Sequence, residues 1–130
     1  ALYAQLHDEP ALLPDAHCMQ VWKQILDSPE RHVIVAQQDG KIVSTCTLVL
    51  VPNLTHRMRP YALIENVVTD QRYRKQGLGS ACLDYARHIA REAGCYKIML
   101  VTGSKREAVL RFYERAGYNR QDKTAFVQWL

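Results

Sequence analysis

Residues 63–80 constrain this chain more than any other stretch, because they join an apolar strand to a helix through a basic turn and two closely spaced glycines. The run Leu63-Ile64-Glu65-Asn66-Val67-Val68-Thr69 is rich in β-forming residues. A short turn containing Arg72, Arg74 and Lys75 follows it and leads into Gly77-Leu78-Gly79-Ser80. The first turn of a helix carries N–H groups without intrahelical acceptors and the positive end of the helix dipole, so an anion can dock there. Glycines at 77 and 79 lack a Cβ, which lets the main chain approach a bulky phosphate closely. The three cations add positive charge beside those donors. The stretch reads as a pyrophosphate cradle.

The remaining pattern builds a scaffold around it. From Leu78 to Ala93 the apolar positions Leu78, Cys82, Tyr85, Ile89 and Ala93 mark one helical face, with Asp84, Arg87, His88 and Arg91 on the other and Gly94 as the stop. A strand over residues 96–102 then implies a right-handed parallel crossover. Upstream, Asp15 is a plausible N-cap for a helix carrying Cys18, Val21, Trp22, Ile25 and Leu26, and Ser28-Pro29 ends it. Residues 32–38 and 41–51 flank Asp39-Gly40, the turn pair of a tight antiparallel hairpin. Between Pro52 and Pro60 lies a polar loop with His56, Arg57 and Arg59, either a solvated connection or a lip over an acceptor pocket.

The strand at 61–69 carries one carboxylate among apolar neighbours. If it is regular, Leu63, Glu65, Val67 and Thr69 point one way and Ile64, Asn66 and Val68 the other. Burial of Glu65 would raise its pKa toward the range of a general base; an acid satisfied by a neighbouring arginine or backbone donor is the plainer reading. Further on, Ser104-Lys105-Arg106-Glu107 has the capping-box form and opens a helix carrying Val109, Phe112, Tyr113 and Ala116, closed by Gly117. Phe112 and Tyr113, about 100° apart on a helix, should not share one direction. Tyr118 and residues 124–130 read as closing strands. The sum is a mixed α/β sandwich.

The 130 residues suit one domain, 1–130. A net charge of +4 without a basic tract points to a small anionic ligand rather than to nucleic acid. Cys18, Cys46, Cys82 and Cys95 show no C-x-x-C spacing and no zinc pattern, so all four are expected to be reduced, buried and structural, and no metal is expected. No apolar run approaches the roughly 20 residues that span a bilayer. The first seven residues lack a signal-peptide layout, and a cytoplasmic protein without a membrane partner is the expectation.

Two phosphate-binding fingerprints fail. A dinucleotide fold needs a third glycine where Cys82 stands and an acid near position 97, which is lysine. A P-loop needs Gly-Lys-Ser/Thr, which is absent. The chain instead resembles the GNAT superfamily of acyl-CoA-dependent N-acetyltransferases from about residue 33 to residue 118. The resemblance lies in Asn66-Val67-Val68-Thr69, in Arg74-Lys75-Gln76-Gly77-Leu78-Gly79 and in Phe112-Tyr113-Glu114-Arg115-Ala116-Gly117-Tyr118, in the family's order. Glu65-Asn66-Val67-Val68 and Gly94-Cys95-Tyr96-Lys97 also look like its glucosamine-phosphate acetyltransferase branch.

That resemblance implies a GNAT-like α/β fold, a mixed central sheet flanked by helices. Members usually begin with a strand before the first helix, and that strand is expected to be missing here. It also implies acetyl transfer from acetyl-CoA, the cosubstrate, to a primary amine of a small molecule, without metal. Main-chain amides of Lys75, Gln76, Gly77, Leu78, Gly79 and Ser80, with Arg74 beside them, would hold the diphosphate. Main-chain groups of Val67, Val68 and Thr69 would pair with the pantetheine arm as with an added strand. Glu65 is the candidate base and Tyr113 the candidate acid. A catalytically silent acyl-CoA-binding regulatory module is the alternative, and a free edge strand near the C-terminus leaves a homodimer open.

Overall fold

The structure is a computed structural model describing residues 2–7, 10–11 and 13–130. Asp39 and Gly40 both take positive φ, 50° and 74°, the turn whose twist matches a hairpin. They fold β1 (Arg31–Gln38) back on β2 (Lys41–Val51), and β3 (Tyr61–Thr69) lies antiparallel on the other side of β2. After the crossover helix, β4 (Ile98–Leu100) joins β3 in parallel, giving the order β1-β2-β3-β4. Helix α1 (Ala16–Asp27) precedes them, with the Asp15 carboxylate accepting the Cys18 N–H at 2.7 Å. Among the described residues no strand comes before β1.

Helix α2 (Leu78–Glu92) lays Cys82, Leu83, Ala86 and Ala90 on the sheet, where Ile34, Cys46, Leu48, Ala62 and Ile64 complete the core. Helix α3 (Glu107–Arg115) covers the end of this core with Phe112 and Tyr113. Both pack on the same cluster, with ring centroids 5.1 Å apart edge to face.

Regular alternation along β3 fails at one point. Thr45 pairs with Val68 and Thr47 with Glu65, so Asn66 and Val67 together oppose Cys46. This is a β-bulge, and Asn66 takes φ 53° to make it. The bulge reverses the faces beyond it. Ala62, Ile64 and Val67 pack toward the α2 cluster, whereas Val68 is buried outside it. Glu65 is exposed, which corrects the expectation of a buried carboxylate.

Four further expectations are corrected. Residues 124–130 run extended but join no strand, and neither does Tyr118. The strand expected over 96–102 is paired only at Ile98–Leu100. The capping box does not form: Ser104 Oγ accepts the Arg106 N–H at 3.3 Å, and Glu107 instead holds Arg111 and Arg120. Of the cysteines, Cys46 and Cys82 are buried, Cys95 is half-buried and Cys18 is exposed. No described helix is long and apolar enough to cross a membrane.

Candidate active site

Where β3 ends, Asp70 organises the turn. Its N–H donates to Val43 O at 2.8 Å, and its carboxylate accepts the Arg72 N–H at 3.0 Å and the guanidinium at 3.0 and 3.1 Å. Hydrogen bonds from Arg72 hold this carboxyl well below the usual 3.8. Arg72 is thereby spent on Asp70 and is not a free cation for a ligand, a correction to the sequence reading. Arg74 donates from Nε to Thr69 O at 3.1 Å, and Lys75 takes φ 61°.

A carboxylate whose folded pKa is depressed stabilises the fold above its unfolded value, and that contribution fades as pH falls through the folded one. Asp70→Asn should therefore be less stable than wild type at pH 7, with the gap closing progressively below about pH 4. Urea melts of both proteins at pH 7 and pH 3 check this; a gap independent of pH contradicts it.

The helix then begins in the way an anion site requires. Gly77 sits at the N-cap with φ 79°, a left-handed conformation that costs a side-chain-bearing residue about 1–2 kcal/mol. The Ala81 N–H donates to Gly77 O at 2.9 Å and starts the helical ladder. Among the described residues, no N–H from Lys75, Gln76, Gly77, Leu78, Gly79 or Ser80 donates to a protein acceptor. Six amides in succession therefore lack a protein partner at the positive end of α2. Gly79 is needed for a different reason. A Cβ there would lie 3.2 Å from Phe112 Cζ and 3.3 Å from Thr69 Oγ1, so α2, α3 and the end of β3 meet at this residue.

The cradle abuts an open strand edge. β3 pairs with β2 along both of its halves, but with β4 only at Ala62, Leu63 and Ile64. From Glu65 to Thr69, then, the strand has a ladder on one side and a gap on the other. That gap contains the edges of Val67, Val68 and Thr69, and it runs from the cradle to the bulge. An extended ligand lying there can bond the strand as a neighbouring strand would.

Buried hydroxyls fix the floor beneath it. Ser44 Oγ on β2 donates to Val68 O at 3.3 Å and lies 2.8 Å from Thr69 Oγ1. Cys82 Sγ donates to the same Ser44 oxygen at 3.8 Å. Ser44→Ala is expected to lower the unfolding free energy by about 1–3 kcal/mol, because Thr69 Oγ1 loses its partner; denaturant melts measure it, and unchanged stability contradicts it. The motif reading did not mark Ser44, and it took in Asn66 only as part of a regular strand. Their signals are a small hydroxyl amid the β2 apolar run and, within β3, an asparagine, which tolerates positive φ better than its β-branched neighbours.

Tyr113 enters from α3. Burial raises its phenol, and the nearby Cys46 thiol adds to this, so the hydroxyl stays protonated throughout the neutral range. Tyr113 packs on the core cluster that includes Cys46, the residue opposite the bulge. Tyr118 packs edge-on against it at 6.3 Å and is pushed up to about 12, chiefly by burial. Burial likewise pushes the Cys46 thiol up to about 12, far from thiolate chemistry. Glu65 is exposed next to the bulge and, among the described residues, makes no hydrogen bond or ion pair with Tyr113.

At the opposite end of β3 the 52–60 loop is an unusual left-handed turn, with φ of 52°, 59° and 60° at His56, Arg57 and Met58. His56 stacks on Tyr96 at 3.8 Å, and Arg59 donates to Gly94 O and Cys95 O at 3.0 and 3.1 Å. Arg59 therefore ties the loop to the end of α2. The open groove bounded by Pro52, Leu54, Met58 and Pro60 belongs to this loop and lies away from the cradle. Among the described residues no cluster of three His, Cys, Asp or Glu side chains could hold a metal.

The chain is similar to known proteins in both sequence and fold. The model of the Acetyltransferase (GNAT) family matches residues 2–118. A glucosamine 6-phosphate N-acetyltransferase of Trypanosoma brucei brucei is 36% identical over 91 residues, covering 70% of this chain and 60% of the relative. The chain thus spans about three-fifths of that relative's length. A solved chain from Agrobacterium tumefaciens is 41% identical and superimposes with a TM-score of 0.93, covering 99% of this chain and 89% of that one. A more distant fold neighbour, AAC(6')-Iy in complex with a CoA bisubstrate analog, is 15% identical with a TM-score of 0.79, covering 99% and 87%.

Proposed function

This chain belongs to the acetyltransferase (GNAT) family, and on that footing we propose that it moves an acetyl group from acetyl-CoA directly to a primary amine of a small molecule. One observation carries the proposal: the six unbonded amides at 75–80 adjoin the unpaired edge of β3. The diphosphate docks on the amides, with Arg74 and Lys75 beside them. The pantetheine arm runs along Val67, Val68 and Thr69, and the thioester reaches the bulge at Asn66.

The amine lone pair attacks the thioester carbonyl carbon, and the C–S bond breaks with its electron pair leaving on sulfur. The proton lost by the amine goes to Glu65, through water given the exposure of that carboxylate. The departing sulfur takes its proton from Tyr113. An ordinary phenol near 10 protonates a thiolate whose acid is near 8.5 at an uphill cost of about 2 kcal/mol. Burial makes that transfer somewhat steeper but keeps the phenol in its donating form. Glu65→Gln is expected to lower kcat by about 10²-fold while leaving the KM for acetyl-CoA unchanged. Steady-state rates test it, and a loss confined to KM contradicts the role.

The acceptor reading is a phosphorylated amino sugar. It is supported by the name of the Trypanosoma brucei brucei relative and by His56 and Arg57, which lie beyond the bulge on the side away from the cradle. The acceptor must approach from that side, since the carrier occupies the other. A thiol-release assay with acetyl-CoA and a panel of amines, glucosamine 6-phosphate first, should show amine-dependent release. Acetyl-CoA binding by calorimetry without release for any amine would instead favour the silent acyl-CoA-binding module.

A further inference from the structure

We propose that the Thr69 side-chain hydroxyl binds a phosphate oxygen of the carrier, and that Ser44 beneath it is the positioning residue that turns its proton toward that oxygen. Three polar side chains are buried among the described residues: Ser44, Thr45 and Asp70. Two of them have a task within the fold. Thr45 Oγ1 donates to Ile34 O at 2.7 Å, and Asp70 holds Arg72. Ser44 is the most deeply buried, at 0% exposure, in the apolar run of β2. Packing alone does not call for a hydroxyl there, since replacing both members of a buried bonded pair by apolar groups of the same shape is nearly neutral.

From Ser44 a chain of hydroxyls leads to the cradle. Cys82 Sγ on α2 donates to Ser44 Oγ at 3.8 Å, and Ser44 Oγ lies 2.8 Å from Thr69 Oγ1 and 3.3 Å from Val68 O. Thr69 Oγ1 in turn lies 3.3 Å from the position of a Gly79 Cβ. It therefore sits against the first turn of α2, between the unbonded amides and the unpaired strand edge. Ser44 is the only hydrogen-bond partner of this hydroxyl among the described residues. Arg74, tied to Thr69 O at 3.1 Å, brings a guanidinium to the same corner. The corner suits an anion.

Each hydroxyl has one proton to donate and can also accept, so two arrangements are open to the pair. In the closed one Thr69 donates to Ser44, Ser44 donates to Val68 O, and no proton is left over. In the open one Ser44 donates to Thr69, which frees the Thr69 proton for a ligand. Cys82 donates to Ser44 in both. An anion beside Thr69 favours the open arrangement, because a bond to a charged acceptor is stronger than the 3.3 Å bond to Val68 O that it replaces. The exchange needs only the rotation of two hydroxyls. This role rests on acetyl-CoA being the carrier, and the acceptor is the phosphate from which the pantetheine arm continues along β3.

Calorimetry with CoA, set beside urea melts, separates this role from a structural one. Thr69→Val keeps the branched shape and leaves Ser44 bonded to Val68 O, so its melt should match wild type while CoA binding weakens about 10-fold or more. Thr69→Ser restores the hydroxyl and should bind within about twofold of wild type. Ser44→Ala should melt earlier and weaken CoA by about threefold, as the Thr69 hydroxyl loses the neighbour that polarises and orients it. Ser44→Ala/Thr69→Val removes both hydroxyls, so its melt should recover toward wild type while its CoA loss stays that of Thr69→Val. Wild-type affinity in Thr69→Val overturns the proposal, and so does a Thr69→Ser variant as weak as Thr69→Val. An affinity that simply follows the melting midpoint across the four variants overturns it as well. Wild-type protein that fails to bind CoA at all would sink the carrier reading itself, and this role with it.

Discussion

Tyr113→Phe is expected to lower kcat by about 10²-fold or more while the affinity for acetyl-CoA stays within about twofold, the signature of a proton donor used only in the transition state. The substitution removes one oxygen from a ring whose faces are held by Phe112 and Tyr118. The packing therefore survives, and stability should change little. The pH dependence has a definite sign. Burial raises this phenol, so its deprotonation limits the wild-type rate only above the usual 10. Below that, activity should climb with pH as the amine loses its proton. Removing the phenol should flatten any fall at the alkaline extreme. Rates measured from pH 6 to 10.5 check both points. A variant with wild-type kcat, or an alkaline fall that persists unchanged without the hydroxyl, would remove Tyr113 from the chemistry.

Gly79→Val has the largest expected effect on carrier binding. Even a Cβ at this position meets Phe112 Cζ at 3.2 Å and Thr69 Oγ1 at 3.3 Å, and a branched side chain adds two carbons to that space. The start of α2 must then move away from β3, and the amides lose their alignment with the strand edge. Hydrogen bonds to a charged group contribute about 1.5–3 kcal/mol each. The loss of two weakens acetyl-CoA binding by roughly 10²-fold or more. Calorimetry measures this directly. The pair Gly79→Ala/Phe112→Leu serves as the steric control, since the shorter side chain vacates the contact; it should bind better than Gly79→Ala alone. If Gly79→Val binds acetyl-CoA like wild type, the close approach at this glycine is not what holds the cradle.

The glycine turn into α2 was legible because its causes are local. Gly77 takes a left-handed φ, Gly79 a close contact, and both demands are met by residue type alone. The Asp39-Gly40 hairpin and the Asp15 cap were readable for the same reason. The bulge was not, because it is set by how β2 opposes β3 at Cys46, a pairing that neither strand specifies alone. Glu65 lies before the bulge and keeps the face that alternation gave it, but that face is open to solvent there, and it is Val67 that the bulge turns to the other side. Arg72 looked like a ligand cation until Asp70, two residues back, was found to hold it in three hydrogen bonds. Residues 124–130 have the composition of a strand, but a strand needs a hydrogen-bonded neighbour, and composition does not supply one.

The central claim is that main-chain amides at 75–80 grip the diphosphate of CoA. An amide-resolved NMR titration with unacetylated CoA tests it without turnover. The expected result is large, saturable shifts at Lys75, Gln76, Gly77, Leu78, Gly79 and Ser80, smaller ones at Val67, Val68 and Thr69, and none along β1. Saturating CoA that leaves the 75–80 amides where they were would contradict the account.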